Sequence, residues 1–214
     1  MTTYNDNLSQ YITGLFAEQD EALQYTWEDT TRKGLPAISV RPEEGRFLQF
    51  LVRVSRTKKA VEIGTLGGYS GIWIARGLLP GGKLVTLEKD PHHADIAQDH
   101  FRRAGVAEQV EIRVGDAHRT LQVLASQGPF DFIFIDAEKP GYQDYFEWAL
   151  EHTPVGGVIA AHNAFRAGSV IESGEADEST QSMRAFNQRV AREPRVISTI
   201  YPAGDGTLIA VKIA

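Results

Sequence analysis

The chain has 214 residues, 42% of them hydrophobic, and a formal net charge of −6. That length suits one domain with a sizeable core, and the acidic balance leaves no global footprint for nucleic acid. There is no cysteine, which excludes disulfides, zinc–thiolate centres and cysteine nucleophiles and is compatible with a reducing cytoplasm. The opening Met1-Thr-Thr-Tyr-Asn-Asp-Asn is polar, and no apolar run reaches membrane-spanning length. The expectation is a cytoplasmic enzyme that does not enter a membrane.

In chain order, Leu8, Ile12, Leu15, Phe16 and Leu23 fall at helical spacing and predict an N-terminal helical segment over 4–28. A loop over 29–42 follows. Pro42-Glu43-Glu44 then opens a helix that runs to Arg56, with proline suited to a first turn. From there a strand–helix rhythm begins, with strands at 59–63, 83–88, 109–114, 130–135 and 155–161. The helices between them are read at 68–79, 92–104, 117–126 and 141–151. Near-continuous apolar strands alternating with helices mean a parallel sheet covered on both faces. A helix at 176–192 precedes two strands, Arg195–Tyr201 and Thr207–Ile213, joined by a Gly204-Asp205-Gly206 turn that reads as an antiparallel hairpin. The whole is expected to be one α/β domain, Rossmann-like and doubly wound. Residues 1–56 would form N-terminal helices and a substrate-side loop, and 57–214 the core.

The stretch Ala60–Gly68 carries the sharpest signal. A strand, a glycine turn at Gly64, Gly67 and Gly68, and a helix from Tyr69 make a nucleotide-sized pocket, because glycine admits close backbone approach and the helix start offers free N–H groups. Glu62 lies just before the first glycine. A phosphate would be repelled there and a cation attracted, so a sulfonium cofactor is favoured over a dinucleotide. The other strand ends are polar too: Thr65 with Ser70 beyond, Glu88, Gly115-Asp116-Ala117, Asp136 followed by Lys139, and His162-Asn163. In a doubly wound sheet, ligands sit at those ends. Each residue alone has a plainer reading. Glu88 could be a helix-start charge, Asp136 a salt-bridge partner of Lys139, and His162-Asn163 a turn cap. Arg166 could meet an anionic substrate or only solvent.

Taken together, Val61–Ser70, Phe130–Lys139 and Gly156–Asn163 resemble the motifs of the cation-dependent class I O-methyltransferases, the caffeoyl-CoA and catechol O-methyltransferase family. The resemblance runs from about Pro42 to the C-terminus. It implies a seven-stranded sheet with an antiparallel last strand, S-adenosylmethionine as methyl donor, a divalent cation that holds a vicinal diol, and a homodimer. By position, Val40, Glu62, Gly64, Thr65, Ser70, Glu88, Ala117 and Asp136 fall on the family's cofactor contacts, with Glu88 at the ribose and Glu62 near the methionine amino group. Asp136, His162 and Asn163 fall on the metal ligands, and Lys139 on the catalytic lysine.

One position departs from the pattern. The family's second metal ligand is an aspartate, and here it is His162. Magnesium prefers hard oxygen donors, whereas imidazole suits manganese, iron, cobalt, nickel or zinc. Three readings follow: an altered metal site, a weak one, or a metal-free site with His162 as base; the altered site is preferred. The leading function is methyl transfer to a small catechol-like or hydroxylated aromatic acceptor. Alternatives keep the fold but take a tRNA hydroxyuridine as acceptor, or bind the cofactor without catalysis. A nicotinamide-dependent dehydrogenase is disfavoured by Glu62 and by the incomplete G-x-G-x-x-G.

Overall fold

The computed structural model describes residues 4–214. The N-terminal segment is two helices, α1 (Asp6–Phe16) and α2 (Glu21–Arg32), where one stretch was expected. The break has a local cause. The Asp20 side chain accepts the Leu23 N–H at 3.0 Å and starts a new helix; apolar spacing alone does not register such a cap. α3 (Pro42–Val54) begins at the expected proline, and Glu44 reaches back to accept the Arg41 N–H at 2.9 Å.

The alternating region follows as β1 (Lys59–Ile63), α4 (Tyr69–Gly77), β2 (Lys83–Glu88), α5 (Pro91–Arg103), β3 (Val110–Val114), α6 (Ala117–Leu124), β4 (Phe132–Ile135), α7 (Tyr142–His152) and β5 (Val158–Ala161). The chain closes with α8 (Glu178–Ala191), β6 (Val196–Tyr201) and β7 (Thr207–Lys212). β4 and β5 begin two and three residues later than the apolar runs suggest. Asp131 is spent on the N–H groups of Lys58 and Lys59, at 2.8 and 2.9 Å, and Gly156 turns the chain at φ 86°.

The seven strands form one sheet in the order β3-β2-β1-β4-β5-β7-β6. β1 to β5 pair in parallel, and β7 runs against both its neighbours. Winding reverses between β1 and β4, so a crevice opens at their carboxyl ends. Alternate strand residues feed two cores. Val61, Ile63, Ile133, Ile135 and Ile159 join Tyr142, Phe146 and Phe186 on one face. Ala60, Leu84, Phe132 and Phe134 join Leu48, Ile72 and Phe101 on the other. Strands buried on both sides explain the continuous apolar runs that made them readable. Among the described residues, no helix is long and apolar enough to cross a membrane.

Candidate active site

A cavity of about 830 Å³ lies over the carboxyl ends of the parallel strands. Each of β1 to β5 contributes to it: Gly64 and Thr65, Glu88, Gly115 and Asp116, Asp136, and Asn163. The loop before α3 adds Ile38, Ser39 and Val40, and Arg166 and Ser179 close the far side.

The half over β1 to β3 is built locally. Gly64 has φ 100°, and a Cβ there would sit 2.1 Å from the Asp136 carbonyl oxygen, so only glycine lets the tails of β1 and β4 pass this closely. Glu88 Oε2 accepts the N–H groups of Thr65 and Leu66 at 3.3 and 2.8 Å. Those donors are therefore taken by a carboxylate and are not free to cradle a pyrophosphate. The chemistry fits a cofactor with cationic and ribose groups better than a dinucleotide. Glu62 is fully buried and does not line the cavity. It accepts Ser70 Oγ at 2.6 Å and Thr86 Oγ1 at 2.7 Å. Burial raises its carboxyl to about 7, with the charges of Asp136 and Glu88 adding to the rise and the Ser70 and Thr86 hydrogen bonds opposing it. Ser70 does line the cavity, so it stands between Glu62 and the open space. Val40 and Ala117 also line it.

The half over β4 and β5 is a charge network. Lys139 Nζ donates to Tyr142 Oη at 2.6 Å, to the Ala137 carbonyl at 3.0 Å and to Asp136 Oδ1 at 3.4 Å. Tyr142 donates in turn to the His162 carbonyl at 3.2 Å. Burial lowers the Lys139 ammonium from its ordinary value, against the pull of Asp136. Burial alone would raise the Asp136 carboxyl, but the His162 and Lys139 charges outweigh it and hold the group down to about 2. Asn163 takes a left-handed φ of 59°, which Asn tolerates, and donates Nδ2 to Asp205 Oδ2 at 2.8 Å. The hairpin turn between β6 and β7 thereby returns to the site.

His162 is nearly sealed from solvent and does not line the cavity. Its Nε2 lies 2.9 Å from Glu44 Oε1, and its Nδ1 lies 3.3 Å from Asp136 Oδ2. The second contact is an ion pair off the line of a good hydrogen bond, which leaves Nδ1 without a hydrogen-bond partner. Burial disfavours the imidazolium, yet the two carboxylates push the ring up to about 10. Glu44 was legible in the sequence only as part of an acidic helix opening. Its burial beside His162, 118 residues away, has no sequence signal short of the fold itself.

The profile of the O-methyltransferase family matches residues 14–213. The chain belongs to the class I O-methyltransferases. This methyltransferase is 43% identical to a catechol O-methyltransferase of Niastella koreensis, over 91% of this chain and 89% of that one. It is 36% identical to a catechol O-methyltransferase of Mycobacterium tuberculosis, over 96% and 94% of the two chains. Among solved structures, an O-methyltransferase from Bacillus cereus in complex with SAH superimposes with a TM-score of 0.90 at 41% identity, covering 96% and 97% of the two chains. TomG from Streptomyces achromogenes, in complex with SAM, gives 0.87 at 35% identity, covering 97% and 96%. The enzyme is an S-adenosylmethionine-dependent O-methyltransferase.

The divalent cation that the resemblance implies meets a different donor set in this methyltransferase. Asp136 and Asn163 reach the cavity, but His162 does not line it and both of its nitrogens face carboxylates. With Nε2 at Glu44 and Nδ1 turned to Asp136, the ring is aimed at protein carboxylates and not into the cavity. Among the described residues no three His, Cys, Asp or Glu side chains converge as a metal site. The donors as arranged do not fit the ion.

Proposed function

We propose that this enzyme methylates a hydroxyl of a small hydroxylated aromatic compound, catechol-like in shape, with Lys139 as the base. The observation that carries the reading is Lys139 itself: a buried, cavity-lining amine whose charge is weakened by burial. S-adenosylmethionine, when bound, supplies a methyl group on a positively charged sulfur. The chain's own part is to orient the acceptor and take its proton. The unperturbed lysine pKa, about 10.4, is too high for that task near neutrality, and desolvation moves it the useful way. Tyr142 and the Ala137 carbonyl hold Nζ in place, so the base meets the acceptor from a fixed direction.

On the cofactor side the proposed contacts are Val40, Gly64, Thr65, Ser70, Glu88, Ala117 and Asp136, with Glu62 acting from behind Ser70. The metal-assisted form of the reading would take Asp136, His162 and Asn163 as ligands. Because His162 is engaged by Glu44 and Asp136 outside the cavity lining, no step is routed through a cation. Arg166 lines the acceptor end, and its buried Nε has no hydrogen-bond partner, which supports an acceptor bearing a negative group. The catechol and caffeoyl-CoA names of the relatives support a small aromatic acceptor.

We further infer a single-domain, cytoplasmic enzyme that acts as a homodimer. Exposed Tyr11, Leu15 and Phe16 on α1 support the dimer, which light scattering of the purified chain checks. The deciding experiment pairs calorimetry with S-adenosylhomocysteine and mass-spectrometric screening of diphenol acceptors, run with and without a chelator. Heat on binding together with a product one methyl heavier is expected. Binding without any product across the panel would leave only a cofactor-binding module.

A further inference from the structure

His162 stands where the resemblance puts a carboxylate ligand, and two carboxylates have closed on it. Glu44 Oε1 lies 2.9 Å from Nε2 and Asp136 Oδ2 lies 3.3 Å from Nδ1, with His162 4% and Glu44 2% exposed. A buried and a partly exposed carboxylate that meet at one ring need a positive or hydrogen-bonding partner between them. A divalent ion is one solution, and a clamped imidazolium is another.

Glu44 is built into this position. Its Oε2 is anchored by the Arg41 N–H at the start of α3. On the opposite side Gly204, at φ 58°, leaves the room that the carboxylate fills, since a Cβ there would sit 2.3 Å from Glu44 Cδ. Helix α3, the tip of β5 and the β6–β7 turn thus converge on one ring that does not open to the cavity. A metal ligand would have to face the ion. This residue faces two protein carboxylates.

We propose that the Glu44–His162–Asp136 array takes the place of the divalent cation, so that this enzyme transfers methyl groups without a bound metal. The inference rests on the O-methyl-transfer reading above. The step balances without a metal or a redox partner. The acceptor O–H bond breaks and its proton goes to neutral Lys139 Nζ. An O–CH₃ bond forms as the S–CH₃ bond breaks, and the electron pair of that bond stays on sulfur. The positive charge passes from the sulfonium to Lys139, whose Nζ lies 3.4 Å from Asp136 Oδ1. Glu44 is a positioning residue that acts through His162.

Electron paramagnetic resonance of Mn²⁺ with the purified full-length chain tests this. The wild-type chain is expected to bind no Mn²⁺, and its turnover to change by less than about twofold with chelator or added Mn²⁺. His162→Asp is expected to gain a bound Mn²⁺, because it restores a hard oxygen donor beside Asp136 and Asn163. Its melting temperature should rise with Mn²⁺, since three carboxylates then crowd one site until an ion joins them. Glu44→Gln is expected to lower kcat about tenfold with cofactor affinity unchanged. Stoichiometric Mn²⁺ in the wild type that is lost in Asp136→Asn would overturn the proposal. So would a folded His162→Asp that still binds none, or a Glu44→Gln loss that tracks cofactor affinity and melting temperature alike. If His162→Asp does not fold, the wild-type Mn²⁺ spectrum decides alone. Absence of any methylated product would instead sink the O-methyl-transfer reading, and the Mn²⁺ spectra would still report on the array.

Discussion

The two halves of the cavity are made in different ways. Over β1 to β3, the chain writes the site in short local words: a strand, a glycine, a helix start, an acidic residue at the next strand end. Over β4 and β5, the site is assembled from distant pieces. Glu44 reaches His162 across 118 residues, and Asp205 reaches Asn163 across 42. The first half suits a constant ligand shared across a family. The second suits a variable one, because residues far apart in sequence can change independently while the strand tips stay fixed.

The sharpest way to break that comparison is Lys139→Ala. If the halves are separable, the variant keeps cofactor binding and loses turnover by about 10²–10⁴-fold, the range of one general base. Calorimetry with S-adenosylhomocysteine and single-turnover rates check the two sides separately. Equal turnover in variant and parent would falsify the base assignment.

Gly64→Ala attacks the seam between the halves. A Cβ at this position meets the Asp136 carbonyl at 2.1 Å in a backbone conformation that alanine resists. The expected cost is roughly 2–4 kcal/mol, read as a fall in melting temperature of about 2–4 °C per kcal/mol for a chain of this size. An unshifted melting curve would mean that β1 and β4 can part without penalty.

How far the sequence carries is explained by the same division. The strands were legible because burial on both faces leaves them mostly apolar, and β1 and β2 have the predicted bounds. The strand-end residues were legible because a doubly wound topology sends those ends to one crevice. The N-terminal break was hidden because Asp20 acts through a side-chain cap that does not interrupt apolar spacing. Glu62 was read as a ligand-facing charge, yet the pleat turns it toward Thr86, its partner on β2, and Ser70 stands between it and the cavity. His162 was recognised as a departure, but what it touches could not be read, since Glu44 lies on another element and was indistinguishable from any acidic helix start.

Glu62 gives a smaller and cleaner test of the cofactor half. Its carboxyl is raised from 4.5 to about 7, chiefly by burial. A raised carboxyl binds its proton more tightly folded than unfolded, so its contribution to stability is full below about pH 4.5 and is lost as pH rises through about 7. The shift is worth about 3 kcal/mol. Urea titrations of the cofactor-free chain should therefore weaken across that window, and Glu62→Gln should flatten the weakening. A parent and variant with parallel pH profiles would show that Glu62 does not ionise on its own in this range.

Arg166 offers the mildest effect and the most information about the acceptor half. Its backbone is left-handed at φ 50°, and Ala167 follows at φ 52°, a conformation that side chains resist and that persists only where surroundings enforce it. Here the enforcement is visible: Asp205 accepts the Ala167 N–H at 2.6 Å, and the Arg166 N–H reaches the Asn163 carbonyl at 3.2 Å. The strained turn holds the guanidinium at the cavity wall beside Lys139, where its charge helps depress the ammonium. An anionic group on the acceptor would be met by Arg166 in a charge-assisted hydrogen bond of about 1.5–3 kcal/mol, reduced by the partial exposure of the side chain. Arg166→Gln should raise KM for a carboxylated diphenol about fivefold to tenfold and leave KM for an uncharged diphenol nearly unchanged. Equal rises for both acceptors would assign Arg166 to the shape of the turn and not to recognition of the acceptor's charge.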